Sequence, residues 1–443
     1  MPVHFSDLGI NIQFQKSLSE LQISAPTEVQ EKTIPIILNQ KEDLVVLSKT
    51  GSGKTAAFGL PLLQLIDSEN TNIQTLILAP TRELAQQIYH NLSSFAHNQN
   101  QIKIVGLYGG TPVKPQIEAL SNTTHMVVAT PGRLLDLMKR DAIDLKNLQY
   151  LVLDEADEML SALKEEVNQI ISVIPQSRRT LLFTATMPGT LKQLVQNYMS
   201  KDVIQIEVDT ETLGHQDIDH QYVVVEPIEK LEVLLHFLNS KSGERGIIFC
   251  KTKAAVNKLA KKLAINRFSS GAIHGSLTQK IRDRIMEQFR AGQIDILVAT
   301  DLAARGIDVK ELSFVINYHL PDTFEAYVHR SGRTARAGAK GLSLSILQTD
   351  EVQKIPEFEA ALGINFSKLA KADAQSIEEN NALLWAKKIF KTKPNREVSE
   401  EFKGKIKTIF HHLTKEELLD KVLADYLAQS KSDLKSSGSS KKN

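Results

Sequence analysis

Short runs of valine, isoleucine and leucine recur along this chain and alternate with longer amphipathic stretches. Apolar residues occupy successive positions in these runs, so the runs lack the in/out alternation of a strand with one face in water. Strands of a parallel sheet that helices cover on both faces have this composition. The strands predicted in the first part of the chain are 44–47, 75–79, 103–107, 126–129, 150–153 and 180–184.

The same rhythm resumes after a polar segment, 208–217, which we interpret as a linker. The later predicted strands are 220–225, 246–250, 295–299, 314–317 and 343–347. The pattern predicts an α/β fold with two tandem doubly wound parallel-sheet domains, residues 1–207 and 218–364. A chain of 443 residues agrees with this division, because a single core stops growing at about 250–300 residues.

We expect no strands beyond residue 365. A capping box at 414–417 (TKEE) and an apolar stripe over 402–413 predict two short amphipathic helices within a helical extension, 365–429. Trp385 is predicted to anchor a core. The stripes could pack within the chain or make the protein a homodimer, and both readings stay open. The last residues, 430–443, are predicted to be a flexible basic tail.

Charge and composition restrict the partners only weakly. The formal net charge is +1, but residues 365–443 hold 16 Lys and Arg against 11 Asp and Glu. This region contacts nucleic acid or forms a solvated helical surface, and charge alone does not decide between them. The single cysteine, Cys250, lies in an apolar run and is expected to be an inert core thiol. Without a signal peptide pattern or a long apolar run, we expect a cytoplasmic protein with no membrane partner.

The segment 46–55 (VLSKTGSGKT) nearly fits the fingerprint of a phosphate-binding loop, and departs from it by having Ser48 in place of glycine. It follows a predicted strand and precedes a helix-compatible run. Its glycines let backbone N–H groups surround phosphate oxygens, and the helix N-terminus adds partial positive charge. Lys54 is predicted to reach the β- and γ-phosphates, and the Thr55 hydroxyl to bind Mg²⁺.

Acidic residues end another apolar strand, at 151–157 (LVLDEAD). An ATPase places an acid beside its metal ion in this way. Asp154 is predicted to hold Mg²⁺ through water, and Glu155 to orient and deprotonate the attacking water. For any one of these acids, the alternative is a helix start that its dipole favours.

Together these segments resemble the DEAD-box family of ATP-dependent RNA helicases over about residues 5–340. Further family motifs follow in order: PTREL at 80–84, GG at 109–110, TPGR at 130–133, TAT at 184–186, TDLAARGID at 300–308 and HRSGRTAR at 329–336. The resemblance implies two RecA-like domains that close a cleft over ATP and RNA.

The resemblance also implies how the nucleotide is bound. Gln30 would read adenine and Phe5 would stack on it, while Asp308 would bind the ribose hydroxyls. Gln22 and Ile23 stand where the family usually has glycine and an aromatic residue. The full set of predicted nucleotide-binding residues is Phe5, Gln30, Ser48, Thr50, Gly51, Ser52, Gly53, Lys54, Thr55 and Asp308.

The catalytic residues implied by the resemblance come from both halves of the chain. Arg333 and Arg336 would be arginine fingers on one face of a helix, and His329 would join a network between the domains. The alternative for these arginines is a solvent-facing basic patch. Thr184 and Thr186 would link the acidic motif to closure of the two domains, and Asp157 would be the acidic residue that they contact. The predicted catalytic set is Lys54, Asp154, Glu155, His329, Arg333 and Arg336.

RNA would lie across both domains and be held by its backbone. Thr130 is a plausible N-cap ahead of Pro131, so that helix start offers N–H groups to a phosphate. Contacts to phosphate and 2′-hydroxyl groups carry little sequence preference. The RNA-binding residues that the resemblance implies are Arg82, Gly110, Thr130, Arg133, Gly275, Arg282 and Thr300.

The sequence thus predicts an RNA helicase that uses ATP and Mg²⁺ to separate short duplexes locally or to remodel ribonucleoproteins. Three alternatives stay open: a DNA translocase, an RNA clamp without efficient unwinding, and a nucleotide-switched protein-interaction module. The natural RNA is open as well, with ribosome assembly and RNA decay both possible settings.

Overall fold

The computed structural model describes residues 3–49, 51–208, 217–304, 312–335 and 340–371, and in the C-terminal region residues 379, 382–383, 385–386, 389–390, 392 and 398–439. By contacts the chain divides into two compact units. The first contains residues 1–221, 245–345 and 353–367, and the second contains 222–244, 346–352 and 368–443. The predicted linker, 208–217, lies mostly outside the described residues.

Parallel strands form the first sheet, as predicted. They are β1 Leu44–Leu47, β2 Thr75–Leu78, β3 Ile104–Leu107, β4 Met126–Ala129, β5 Tyr150–Leu153, β6 Arg179–Thr184 and β7 Ile204–Glu207. Their order is β3-β4-β2-β5-β6-β1-β7, and all neighbours pair in parallel. Strand β7 was not predicted, because an edge strand such as IQIE exposes alternate residues and has no continuous apolar run.

Helices cover both faces of this sheet. They are α1 Ile12–Glu20, α2 Glu28–Asn39, α3 Lys54–Leu65, α4 Arg82–Phe95, α5 Lys114–Leu120, α6 Pro131–Lys139, α7 Ala156–Ala162, α8 Lys164–Val173 and α9 Gly189–Tyr198. Successive residues of β1 belong to different core clusters: Val46 lies in one cluster, while Val45 and Leu47 lie in the other. Because side chains alternate across a strand, burial on both faces accounts for the unbroken apolar runs.

The second sheet also has seven strands, in the order β10-β11-β9-β12-β13-β8-β14. They are β8 Ile218–Val224, β9 Gly246–Phe249, β10 Ser270–Ile273, β11 Ile296–Ala299, β12 Phe314–Asn317, β13 Gly341–Leu347 and β14 Phe366–Lys368. The expectation of no strand after residue 365 is wrong, because the three residues of β14 form a sheet edge too short for a periodicity signal. Strand β10 was also missed, since its sequence is SGAI.

The second half of the chain repeats the alternation of strands with helices. The helices are α10 Lys230–Ser240, α11 Lys253–Ile265, α12 Gln279–Arg290, α13 Asp301–Ala304, α14 Phe324–Ser331 and α15 Ile355–Leu362. A 3₁₀ helix, Thr349–Lys354, precedes α15. Both sheets therefore have the doubly wound arrangement that the apolar runs predicted.

The C-terminal region contains α16, Glu400–Phe410, and α17, Lys415–Ser439. The predicted capping box is confirmed, because Thr414 and Glu417 each bond to the other's backbone N–H. Helix α17 continues to Ser439, within the segment 430–443 that the sequence predicts to be a flexible basic tail. The Trp385 ring stacks on Tyr426 with 4.5 Å between ring centroids.

Among the helices that the structure describes, none combines the length and apolarity that a bilayer crossing requires.

Buried polar contacts fix the strand that leads to the phosphate-binding loop. Asp43, directly before β1, accepts hydrogen bonds from the backbone N–H groups of Thr180 and Ser200, each at 2.6 Å. Arg179 donates to the carbonyls of Ile36 and Ile37 at the end of α2. The start of β1 and the end of α2 are thus tied to β6 by side chains as well as by the sheet ladder.

We expect Asp43→Ala to lower the free energy of unfolding by about 3 kcal/mol, because it leaves two N–H groups without their acceptor in a buried setting. Urea denaturation followed by circular dichroism measures the change. Asp202→Ala, at an exposed position nearby, is the matched control and should stay within about 0.5 kcal/mol of the parent. Equal effects of the two substitutions would contradict this role of Asp43.

Candidate functional site

The phosphate-binding loop connects β1 to α3. Gly51 and Gly53 have φ values of +84° and +96°, a region that L side chains rarely adopt. A Cβ atom on Gly53 would lie 2.4 Å from Gln30 Nε2, so this glycine is also required by its close neighbour. Lys54 begins α3 and donates from Nζ to the Ser48 carbonyl at 2.9 Å, and Ser52 Oγ donates to Ser48 Oγ at 3.3 Å.

Gln30 belongs to the same corner of the first sheet. Its Oε1 accepts from the Thr27 backbone N–H and its Nε2 donates to the Gly53 carbonyl, both at 3.1 Å. Phe5 is buried and lines a separate cavity of about 490 Å³, together with Gln22 and Ile23. Gln30 is thus tied to the predicted phosphate-binding loop, whereas the cavity that Phe5 lines contains no residue of that loop. Thr50 lies outside the described residues.

Gln22 has a backbone conformation that favours glycine. Its φ is +59°, in the left-handed region. Glycine adopts this conformation without strain, whereas a residue with a Cβ atom does not. The structure therefore gives a physical reason for the glycine that the resemblance leads one to expect there.

The acidic motif lies where β5 ends. Asp154 and Glu155 are buried, and Glu155 is the N-cap of α7 with φ +49°, a strained value for a residue that carries a side chain. Burial raises the pKa of Asp154 to about 7 against the opposing effect of Lys54. Burial and the charge of Glu158 raise the pKa of Glu155, while Arg333, His329 and Lys54 lower it.

One carboxylate oxygen of Asp157 accepts three hydrogen bonds. Its Oδ2 accepts from the Thr186 backbone N–H at 3.0 Å, from the Thr186 hydroxyl at 2.6 Å and from His329 Nε2 at 3.2 Å. Burial alone would raise the pKa of Asp157, but the His329 charge and these hydrogen bonds outweigh it and hold that pKa well below its usual range. The predicted contact between Asp157 and the TAT motif is confirmed.

For Arg333, the predicted placement on a helix is wrong. Helix α14 ends at Ser331 with Gly332 as its C-cap, so Arg333 follows in a turn, and Arg336 lies outside the described residues. Arg333 is nonetheless buried and acts electrostatically on Glu155. Asp308 also lies outside the described residues.

Arg330 has a role that the motif analysis missed. It is 3% exposed and its Nη2 donates to Asp301 Oδ2 at 2.8 Å. Its Nη1 donates to Asn317 Oδ1 and to the His319 carbonyl, and its guanidinium lies 5.0 Å from the Phe249 ring centroid. Arg330 thus joins α13 and α14 to the ends of β9 and β12.

A second group of predicted residues gathers around Arg82, away from the acidic motif. Arg282 Nε lies 3.1 Å from Glu83 Oε1, and Arg82 Nη2 lies 3.7 Å from Asp283 Oδ2. The Nε and Nη1 groups of Arg82 are buried and have no hydrogen-bond partner among the described residues. Unpaired buried donors of this kind suit an anionic oxygen such as that of a phosphate.

Gly110 lies where these two segments meet. Its φ is +77°, and a Cβ atom there would lie 2.7 Å from Arg82 Nη1 and 3.2 Å from Gln279 Cγ. Arg133 also belongs to this region, because it donates to the Thr111 carbonyl and to Gln116 Oε1, both at 2.9 Å.

The remaining predicted RNA-binding residues lie at loops and helix starts. Thr130 is the N-cap of α6, with Pro131 in the first turn, but its side chain makes no capping bond. The α6 N–H groups are thus left to other acceptors. Gly275 follows the strand β10 and has open space where a Cβ atom would stand, and Thr300 precedes α13. No contact joins either of these two to the Arg82 group in the described residues.

Comparison with protein families agrees with the two sheets and the extension. Residues 27–194 match the DEAD/DEAH box helicase model and 229–338 match the helicase conserved C-terminal domain. Residues 377–432 match a helical domain described for a probable ATP-dependent RNA helicase.

Among curated relatives, a probable ATP-dependent RNA helicase of Methanocaldococcus jannaschii is 41% identical, over 83% of this chain and 98% of the relative. This chain belongs to the DEAD-box family of ATP-dependent RNA helicases. The helicase DbpA of Bacillus subtilis is 37% identical over 92% of this chain and 85% of its own length. CshA of Listeria monocytogenes is 40% identical over 79% of this chain, but the match spans 66% of that relative.

Solved structures also resemble this helicase. Yeast Dbp5 bound to RNA and ADP BeF₃ has a TM-score of 0.77 and 28% identity, and the match covers 86% of this chain and 99% of that one. Mss116p bound to single-stranded RNA and AMP-PNP has a TM-score of 0.76 and 26% identity, with coverage of 88% and 86%.

Acidic residues are the part of the site that motif analysis overlooked. Glu83 and Asp283 face the predicted RNA-binding arginines, and Glu158 faces His329. Each of them directly follows a residue that had been singled out, namely Arg82, Arg282 and Asp157. Their positions next to motif residues were the available signal, but an acid on a helix is usually solvated, so the signal was weak.

We expect Gly110→Ala to weaken RNA binding by the helicase about tenfold or more, because the new methyl group displaces Arg82 and strains the backbone. Fluorescence anisotropy with a labelled single-stranded RNA measures the affinity. Gly189→Ala is the control, since that glycine has open space and no positive φ, and its affinity should equal that of the parent. Unchanged RNA binding by the Gly110 variant would contradict the assignment of this surface.

Proposed function

We propose that this helicase hydrolyses ATP when RNA closes its two RecA-like domains, residues 1–207 and 218–364, and that closure separates short RNA duplexes locally. The observation that carries the proposal is the Asp157 carboxylate. It joins the acidic motif and Thr186 of the first domain to His329 of the second. Groups on which hydrolysis depends are divided between the two halves, so neither half suffices.

Within the first domain, the proposed roles follow from position and charge. Lys54 opposes the negative charge of Asp154 and Glu155, and it stands at the start of α3, where an anion is favoured. Glu155 has a raised pKa and a buried Oε2 without a hydrogen-bond partner among the described residues. These features suit a base that accepts a proton from the attacking water.

The residues at this site fit Mg²⁺. A buried carboxyl such as Asp154, with its pKa raised to about 7, becomes a stable carboxylate beside a cation. Thr55 adds a hydroxyl at the start of α3. When bound, Mg²⁺ would neutralise charge on the phosphates and orient them. Among the described residues, no group of three or more His, Cys, Asp or Glu side chains could hold a metal ion.

The second domain completes the site in this proposal. Arg333 is buried near Glu155, and from there it would stabilise the charge that develops on the γ-phosphate. The predicted partner Arg336 and the ribose-binding Asp308 belong to the proposal on the resemblance alone.

RNA would be held on the surface around Arg82 and Gly110, with Arg133 and Arg282 beside them. Phosphate oxygens would accept from the unpaired Nε and Nη1 groups of Arg82. Thr130, Gly275 and Thr300 would add backbone contacts. Because such contacts read the sugar-phosphate chain, RNA sequence should matter little. Closure would bend one strand of a duplex, and its partner strand would then dissociate.

The test is ATP hydrolysis with and without single-stranded RNA, in the parent and in Glu155→Gln. We expect strong RNA stimulation of the parent, and a loss of about 10²-fold or more in the variant, because the amide cannot accept the proton. ATP binding should persist in the variant. Glu165→Gln, which removes an exposed acid of α8, is the control and should match the parent.

The nucleic acid added to the parent separates the alternatives. Equal stimulation by DNA of the same sequence would favour a DNA translocase, and hydrolysis indifferent to any nucleic acid would favour a protein-interaction module. Hydrolysis that RNA stimulates, without strand separation of a short duplex, would favour an RNA clamp. Activity that survives in Glu155→Gln would remove Glu155 from its proposed role.

For the helical extension, 365–429, we infer self-association through the apolar stripes. The stripe residues of α16 are exposed: Phe402 by 56% and Ile409 by 68%. Helix α17 likewise exposes Leu419 by 64%. Exposed apolar side chains repeated along two helices favour a partner surface over packing within the chain, and a second copy supplies the same surface.

We expect the full-length protein to sediment as a dimer, and the double substitution Phe402→Ser with Ile409→Ser to shift it toward monomer by removing apolar area from the contact. Sedimentation velocity over a concentration series measures this change. Lys405→Ser, which removes a charge from the same helix, is the control and should leave the mass unchanged. A monomeric parent at every concentration would contradict the inference.

A further inference from the structure

Glu158 is a buried acid to which no motif gives a role. It follows the D-E-A-D residues directly, lies on α7 and is 4% exposed. An acid that is removed from water needs a positive partner or a set of hydrogen bonds, because its desolvation is otherwise costly. The partner that the structure provides is His329.

His329 lies between two carboxylates. Its Nε2 is 3.2 Å from Asp157 Oδ2, and its Nδ1 is 3.1 Å from Glu158 Oε1. The first contact is a hydrogen bond, whereas the second is close but not aligned as one, so charge attraction dominates it. A neutral imidazole has one N–H group and one lone pair, and its lone pair would face a carboxylate. The doubly protonated ring suits both neighbours.

The charges around His329 favour the same state. Glu155, Asp157 and Glu158 face it from the first domain. Lys54 and Arg333 are the positive groups that act on these acids. Arg330, Asp301 and Glu325 line the same cavity, and Arg330 is paired with Asp301. With Asp154 included, the acids outnumber Lys54 and Arg333, and this excess favours a charged His329. Burial alone would lower the pKa of His329, but Glu158 and Asp157 raise it to about 9.

We propose that Glu158 is a positioning residue that keeps His329 protonated, and that the contact between the acidic motif and His329 therefore closes only with a proton on that ring. The proposal rests on the closure described above. Glu158 acts through His329, with no role assigned to it at the phosphates.

The sign of the pH effect follows from the two states of His329. With the domains apart, His329 would have an ordinary pKa of about 6.5. In the closed arrangement its pKa is about 9. The stabilisation of closure is therefore complete below about pH 6.5 and is lost as the pH rises through 9, where the ring loses its proton.

RNA-stimulated ATP hydrolysis measured from pH 6 to pH 10 tests the proposal. In the parent, activity should decline near pH 9. In Glu158→Gln the decline should begin about one pH unit or more lower, because one of two carboxylates within contact distance is gone. At pH 6 the variant should stay within about 1.5-fold of the parent, and a shift of one pH unit predicts a loss of about threefold at pH 8.5 and about tenfold at pH 10. Glu165→Gln is the control and should follow the parent.

Two further variants separate positioning from packing. Glu158→Asp keeps the charge and should restore the alkaline decline toward that of the parent, even if its activity is lower at every pH. In His329→Gln the alkaline decline near pH 9 should vanish, and adding Glu158→Gln should change the pH profile no further. These two profiles test the proposal even if Glu158→Gln does not fold.

The proposal is overturned if Glu158→Gln lowers activity by the same factor at every pH, or if its decline stays near pH 9. It is also overturned if Glu158→Asp declines at the same low pH as the amide. Failure of the proposed function has a different signature, which is a parent without RNA stimulation at any pH. If RNA stimulates the parent but the alkaline decline of Glu158→Gln stays near pH 9, only the proposed role of Glu158 is rejected.

Discussion

One carboxylate oxygen, Oδ2 of Asp157, accepts from the backbone and hydroxyl of Thr186 and from the ring of His329. Asp157 and these two partner residues come from three separate parts of the chain. Asp157 is buried, and its pKa is depressed by His329. A buried charge with several hydrogen bonds is costly to leave half satisfied. The two sheets therefore meet at a contact that is favourable only when each partner is in place.

The region around Asp157 and the region around Arg82 share one feature, which is that acidic side chains lie opposite positively charged ones. Around Asp157 the acids of α7 face His329 and Arg333, and around Arg82 the acids Glu83 and Asp283 face arginines. Buried ion pairs of this kind impose a specific geometry, because an arrangement that leaves one charge buried without its partner costs free energy. Both surfaces are therefore sensitive to the arrangement of the two halves, which is what coupling of RNA binding to hydrolysis requires.

Much of the fold followed from periodicity. Every predicted strand appears in the structure, since strands buried on both faces leave an apolar run in the sequence. The edge strands β7, β10 and β14 were missed, because an edge strand is half exposed, short or broken by glycine. Helix boundaries were harder to predict. The two fingers were expected on a helix that in fact ends at Ser331, because Gly332 caps it.

For the site, the sequence by itself determined which chemical groups are available. Gly51, Gly53 and Lys54 predict a phosphate-binding loop, and the positive φ values of the two glycines agree with that prediction, while D-E-A-D follows a buried strand. Only the tertiary structure decided which distant charges meet: Glu158 with His329, Glu83 with Arg282, and Arg330 with Asp301. The physical reason is that motifs encode short-range backbone geometry, whereas the energy of a charge depends on burial and on partners brought close by the fold.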